Sequence, residues 1–173
     1  FKNINNLINC LIHPSFFKES KDGKNKVNEF ERLEFLGDRV LGLVIAKLIF
    51  EKFNTFNEGS LSKKFSYLVQ RDFLYKIALE LELENYIKYR KGGANSRISK
   101  SILSDSIESI IGAIFVDRGF LASYKFITRI WSPYLSLSES NETDPKTKLQ
   151  EISQKKFKIL PKYKLIKKTG PSH

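Results

Sequence analysis

The sequence predicts an all-α domain over residues 1–138, a linker over 139–143, and the first helix and strand of a second unit over 144–173. Apolar residues recur at helical spacing from Ile4 to about Leu135, and no segment in that span alternates with the period of a strand. Beyond the polar stretch Leu137–Thr143, a helix opened by Pro145 precedes the alternating run Lys162-Tyr163-Lys164-Leu165-Ile166.

In chain order, a first helix is expected over Ile4–Ile12, stopped at His13-Pro14 because a residue before proline avoids helical angles. Glu19–Asn28, lysine-rich and containing Gly23, reads as an exposed loop. A long helix follows from near Asn28 to Phe53. Asn57-Glu58-Gly59-Ser60 reads as a turn, with Ser60 capping a helix over Leu61–Gln70. Further helices are expected over Asp72–Leu83, over Ser99–Asp117 after a flexible Gly92–Ser96 loop, and over Leu121–Ile130, with Gly119 between the last two. The helix from Pro145 runs to about Phe157, and Gly170-Pro171 begins a turn. One helix and one strand bury too little apolar surface to stand alone, so the second unit is expected to be unfinished.

With 173 residues, 41% of them hydrophobic, the chain can hold one domain with a real core. Cys10 is the single cysteine and has no disulfide partner within the chain, which suggests a reducing, cytoplasmic setting. Asp38, Arg39, Lys47 and Asp105 interrupt the most apolar stretches, so no membrane span is expected. The first residues carry no secretion signal, and with no methionine the sequence reads as a fragment or trimmed product. A net charge of +11 points to a polyanionic partner. Residues 144–173 hold nine lysines against Asp144 and Glu151, so most of that excess lies in the second unit. A lysine-rich tail can also be a mere solubiliser, the lesser alternative, and an AT-rich genome also inflates lysine; charge alone does not decide.

Two apolar helices carry acids where a buried helix should have none. Glu31, Glu34 and Asp38 fall at i, i+3 and i+7, one stripe of a helix, and Asp105 and Glu108 share a stripe of another. An uncompensated buried carboxylate costs several kcal/mol, so such a group must take a cation or a proton. Arg32 and Arg39 are too few and lie off the stripe. An all-oxygen ligand set suits magnesium, with manganese as substitute, and two histidines leave almost no material for zinc or di-iron. Carboxylate-held magnesium suits phosphate ester hydrolysis. The alternative is that all five acids are solvated residues at helix edges.

Glu31-Arg32-Leu33-Glu34-Phe35-Leu36-Gly37-Asp38 resembles the signature motif of the bacterial ribonuclease III family, and Ser101–Ala113 resembles that family's second acidic motif. Leu11-Ile12-His13-Pro14-Ser15 is similar to its first-helix ending, and Asn57-Glu58-Gly59 to its middle acidic turn. Asp144–Glu151 resembles the opening of an α-β-β-β-α double-stranded-RNA-binding domain. The resemblance implies a homodimeric endonuclease that cuts double-stranded RNA, leaves 5′-phosphate and 3′-hydroxyl ends with short 3′ overhangs, and matures ribosomal, messenger and transfer RNA precursors. It implies Glu34, Asp105 and Glu108 as metal ligands, with Asp38 and Glu108 catalytic. Glu31 and Glu58 would be secondary acids, and Phe35 would contact the partner subunit. A plain turn acid is the lesser alternative for Glu58, and from pattern alone Phe35 is equally a core residue. His13, Ser15 and Cys10 read as packing or capping residues.

Gln150, Glu151 and His173 match RNA-contact positions of the binding domain, but the strands and basic helix that complete its grip do not follow in this sequence. Weak, salt-sensitive RNA binding is therefore expected. Two rival functions fit part of the pattern. One is an RNA-binding relative without catalysis, against which the intact Glu34, Asp38, Asp105 and Glu108 argue. The other is an all-α nucleotide pyrophosphohydrolase, whose small substrate gives no reason for the basic tail.

Overall fold

Among the described residues of this computed structural model (1–17, 23–92, 97–137 and 145–163, without the side chains of 23–28, 136–137, 145–148 and 151), regular structure is helical throughout. In order they are α1 (Ile4–Cys10), a 3-10 turn (Pro14–Phe17), α2 (Gly23–Lys52), α3 (Glu58–Val69), α4 (Arg71–Glu80), a 3-10 turn (Leu83–Asn85), α5 (Lys100–Arg118), α6 (Phe120–Leu137) and α7 (Pro145–Phe157). No strand occurs among these residues. One isolated parallel bridge pairs Ile12 with Lys88. There the Lys88 N–H donates to the Leu11 carbonyl (2.8 Å) and the His13 N–H to the Lys88 carbonyl (2.9 Å). The chain divides into two compact units, Phe1–Ser136 and Leu137–His173.

In the first unit α5 is the central element. Leu103, Ile107 and Ile111 are fully buried on it, together with Ala113 and the small residues Ser104, Ser106, Ser109 and Gly112. It packs against α1, α2 and α4. The buried serines find acceptors: Ser106 Oγ donates to the Ile102 carbonyl (2.6 Å) and Ser104 Oγ to the Ser101 carbonyl (2.9 Å). Small residues satisfied by their own helix let neighbouring backbones come close without stranding a polar group. Trp131 on α6 is fully buried, and its Nε1–H donates to the Leu68 carbonyl at the end of α3 (3.0 Å).

Several element boundaries differ from the sequence expectations, each for a local reason. α1 stops at Cys10 rather than Ile12, because Ile12 and His13 are taken into the bridge with Lys88. α2 begins at Gly23, so residues 23–28 are helical and not loop; no proline interrupts that stretch. Asn57, not Ser60, caps α3: its side chain accepts the Ser60 N–H at 2.9 Å, and the helix starts at Glu58. α4 ends at Glu80, and Glu82 turns the chain with φ of 52°. α6 runs on through Pro133 to Leu137. Pro133 forfeits one helical hydrogen bond, but buried Trp131 and Leu135 anchor the helix on both sides of it. Gly119, with φ of 76°, separates α5 from α6 as the sequence suggests.

In the second unit, α7 leaves Leu149, Ile152 and Phe157 about half exposed or more. Lys158 turns left-handed (φ 60°), and Ser153 Oγ donates to the Ile159 carbonyl (2.9 Å), folding the following chain back on the helix. The strand expected over 162–166 lies mostly outside the described residues, and Lys162 and Tyr163 are not in one.

Candidate metal centre

Two glycines make the site possible. Where α2 crosses α5, a Cβ on Gly37 would lie 1.7 Å from the Glu108 backbone oxygen, and one on Gly112 would lie 2.0 Å from the Leu33 backbone oxygen. No other residue fits at either position without the helices moving apart. Backbones this close bring the acidic stripe of α2 against that of α5. Glu34, Asp105 and Glu108 each place a carboxylate oxygen within 4.8 Å of the others. All three are half-buried. Asp38 and Glu31 join them around an open cleft of about 580 Å³ also lined by His13, Pro14, Phe35 and Arg39.

Close, partly desolvated carboxylates resist ionising together. Burial, reinforced by Asp105, Glu31 and Asp38, pushes Glu34 up to about 7. Burial pushes Glu108 higher, to about 8, with Asp38, Glu34 and Asp105 adding repulsion. Asp105 is also raised by burial, while Arg71 and a hydrogen bond from Ser104 pull it down. Arg71 opposes the shift at all three, yet the acids stay raised. A divalent cation would supply the missing positive charge, and an all-oxygen donor set fits a hard cation. The residues therefore fit a metal, which Glu34, Asp105 and Glu108 would hold.

The other residues singled out from the sequence are placed as follows. Asp38 lines the cleft and is paired with the adjacent Arg39, whose guanidinium also sits 4.4 Å above the Phe35 ring. Phe35 is 64% exposed, not a core residue. Glu58 is the first residue of α3, accepts a hydrogen bond from Ser62 Oγ (2.7 Å), and is not among the cleft residues. Gln150 is half-buried on α7, while the Glu151 side chain and His173 lie outside the described residues.

His13 does act as a capping residue, its Nδ1 accepting the Ser15 N–H (3.1 Å), but it also lines the cleft. Cys10 is packed away, its thiol pushed up to about 12 by burial. Two features escape a sequence reading. The glycines stand inside the acidic motifs, but nothing local says that they touch each other's helices. Arg71 carries no signal at all, being far along the chain from both stripes.

Comparison with known proteins agrees with this geometry. A family model for ribonuclease-III-like proteins matches residues 3–134. Ribonuclease 3 of Pelagibacter ubique (strain HTCC1062) is 43% identical over 96% of this chain and 72% of its own length. The ribonuclease 3 of Borreliella afzelii (strain PKo) is 42% identical over 100% of this chain and 71% of its own. The nuclease domain of ribonuclease III from Campylobacter jejuni superposes with a TM-score of 0.67 at 39% identity, covering 77% of this chain and 89% of that one. Dicer from Pichia stipitis shares the fold, with a TM-score of 0.59 at 24% identity over 99% of this chain and 77% of that one. With its acidic stripes joined at a glycine crossing and its sequence matched across both, the chain belongs to the ribonuclease III family of endoribonucleases.

Proposed function

We propose that the chain is a magnesium-dependent endonuclease of double-stranded RNA, active as a homodimer and leaving 5′-phosphate and 3′-hydroxyl ends with short 3′ overhangs. The observation that carries this reading is the convergence of Glu34, Asp105 and Glu108, raised and short of positive charge, at one open cleft. Magnesium, or manganese in its place, would supply a Lewis acid for the scissile phosphate and a more acidic water. Glu34, Asp105 and Glu108 hold the metal. Asp38, lining the cleft beside them, orients the attacking water and accepts its proton. Glu31 stands at the rim as a secondary acid. Glu58 has the same role only if substrate or a second subunit brings it to the cleft.

Support for a homodimer comes from α2. Phe35, Leu43 and Phe50 recur at near-heptad spacing along one face and are 64%, 60% and 69% exposed. Beside Phe35 lies a largely apolar hollow lined by Leu33, Leu36 and Val116. Sedimentation velocity tests this: a dimer is expected, weakened in Phe35→Ala, and a monomer at micromolar concentration would contradict it. The lysine-rich second unit, opening as a double-stranded-RNA-binding domain does, supports duplex RNA as substrate through Gln150, Glu151 and His173. Ribosomal, messenger and transfer RNA precursors in the cytoplasm are the substrates we infer, and the single buried thiol suits that compartment.

The test incubates the chain with a long RNA duplex, with magnesium or with chelator, beside Glu108→Gln. Magnesium-dependent fragments with recessed 5′ ends, absent in the variant, are expected. Duplex binding without cleavage in both magnesium and manganese would overturn the reading.

A further inference from the structure

A cleft lined by five carboxylates repels a polyanion, so some group must receive the RNA backbone next to it. Several basic side chains of α2 and α5 are already engaged. Arg32 pairs with Glu29 (2.7 Å), Arg39 with Asp38, and Lys100 with Asp72 (2.9 Å). Arg71 differs. It is the first residue of α4, exposed, and among the described residues it makes no ion pair or side-chain hydrogen bond.

Its place is nonetheless fixed. α4 packs along α5, and the Lys100–Asp72 pair clasps the residue next to Arg71 to the first residue of α5. Asp105 lies little more than one helical turn further along α5. Consistent with that placement, the positive charge of Arg71 is felt at Glu34, Asp105 and Glu108, on both helices of the cluster. The packing of α4 on α5 sets Arg71 beside the start of α5, and among the described residues its guanidinium is not spent on any one carboxylate. A planar guanidinium matches a phosphate with two parallel hydrogen bonds, and flanking phosphates of the substrate are the anions that arrive there.

We propose that Arg71 is a substrate-binding residue whose guanidinium holds a backbone phosphate of the RNA beside the carboxylate cluster. This rests on the nuclease reading of the cleft. In the absence of RNA, Arg71 stays exposed; with RNA bound, it anchors the strand so that the neighbouring phosphodiester reaches Glu34, Asp105 and Glu108.

The experiment compares the whole chain with Arg71→Ala and Arg71→Lys. Steady-state cleavage of a long RNA duplex is measured across magnesium concentrations. Duplex binding is measured across monovalent salt in the Glu108→Gln background, which leaves the RNA intact. Arg71→Ala is expected to raise KM about tenfold, the loss of one charge-assisted contact. It should also lower the slope of log affinity against log salt by about one. Arg71→Lys should keep that slope and recover part of KM, since lysine retains the charge but not the fork. Thermal unfolding of both variants should match the parent. An unchanged salt slope and KM in Arg71→Ala overturns the proposal. So does a variant altered only in its half-saturating magnesium, because Arg71 would then merely screen the carboxylates. A parent chain that neither cuts nor binds duplex removes the nuclease reading, and this proposal with it.

Discussion

Helix α5 carries covered acids at both ends, and they behave in opposite ways. Near its start, Asp105 and Glu108 sit close to Glu34 with few protein donors, and all three are raised. At its far end the Asp117 side chain is almost fully covered. Burial raises Asp117 too, but donors outweigh it and hold the acid below the usual carboxylate range. The Lys2 N–H (2.6 Å), the Asn3 N–H (2.7 Å) and the Asn6 amide (3.3 Å) all donate to it. One carboxylate fastens the start of α1 to α5. The others are left short of positive charge. Burial alone does not mark a functional acid; burial without protein donors does.

The sharpest way to break this contrast is to separate the helices that create it. Gly37→Ala forces a methyl group into the Glu108 backbone oxygen, so α2 and α5 must part. Metal-dependent cleavage is expected to vanish, with a stability loss of about 1–3 kcal/mol or more in thermal unfolding. A fully active Gly37→Ala would show that the crossing does not set the site.

Next in size is the pH dependence of the metal-free protein. Glu34 and Glu108 rise from 4.5 in the unfolded chain to about 7 and about 8 in the fold. The folded state therefore holds more protons than the unfolded one between these values, and stability falls as pH rises from about 4.5 to about 8. Glu108→Gln, neutral at every pH, should remove part of that fall while abolishing cleavage: at pH 8 the metal-free variant should melt roughly 2–4 °C above the parent. Melting curves at pH 5 and pH 8 check this, and a variant less stable than the parent at pH 8 would count against strained carboxylates.

Asp117→Asn is expected to have the smallest effect and the opposite pH sign. A lowered carboxylate contributes stability above its unfolded value of 3.8 and loses it as pH falls further. The variant should melt slightly lower at neutral pH, by the same amount with and without magnesium, and cleave as the parent does. Loss of cleavage would erase the distinction between the two ends of α5.

Much of the fold and of the site is legible along the chain because helices write a periodic signal. Acids at i, i+3 and i+7 in α2, and at i and i+3 in α5, mark the two stripes by spacing alone. What stays hidden depends on partners distant in sequence. Gly37 and Gly112 matter only because α5 lies where it does. α6 continues past Pro133 because Trp131 and Leu135 are buried in a core that the local sequence does not display. The α3 cap falls on Asn57 rather than Ser60 because both are good capping residues three positions apart, and local chemistry does not choose between them. Arg71 is visible only once α4 is laid along α5.

Whether Glu34, Asp105 and Glu108 hold a divalent cation is read out by calorimetric titration of magnesium and manganese. Two pH 7 buffers of different ionisation enthalpy would be used, with the parent chain and with Asp105→Asn. Saturable binding accompanied by proton release, because acids raised to about 7 and about 8 must give up protons to ligate, is the expected result. The variant should bind far more weakly. Binding that releases no protons and is untouched by Asp105→Asn would contradict the account.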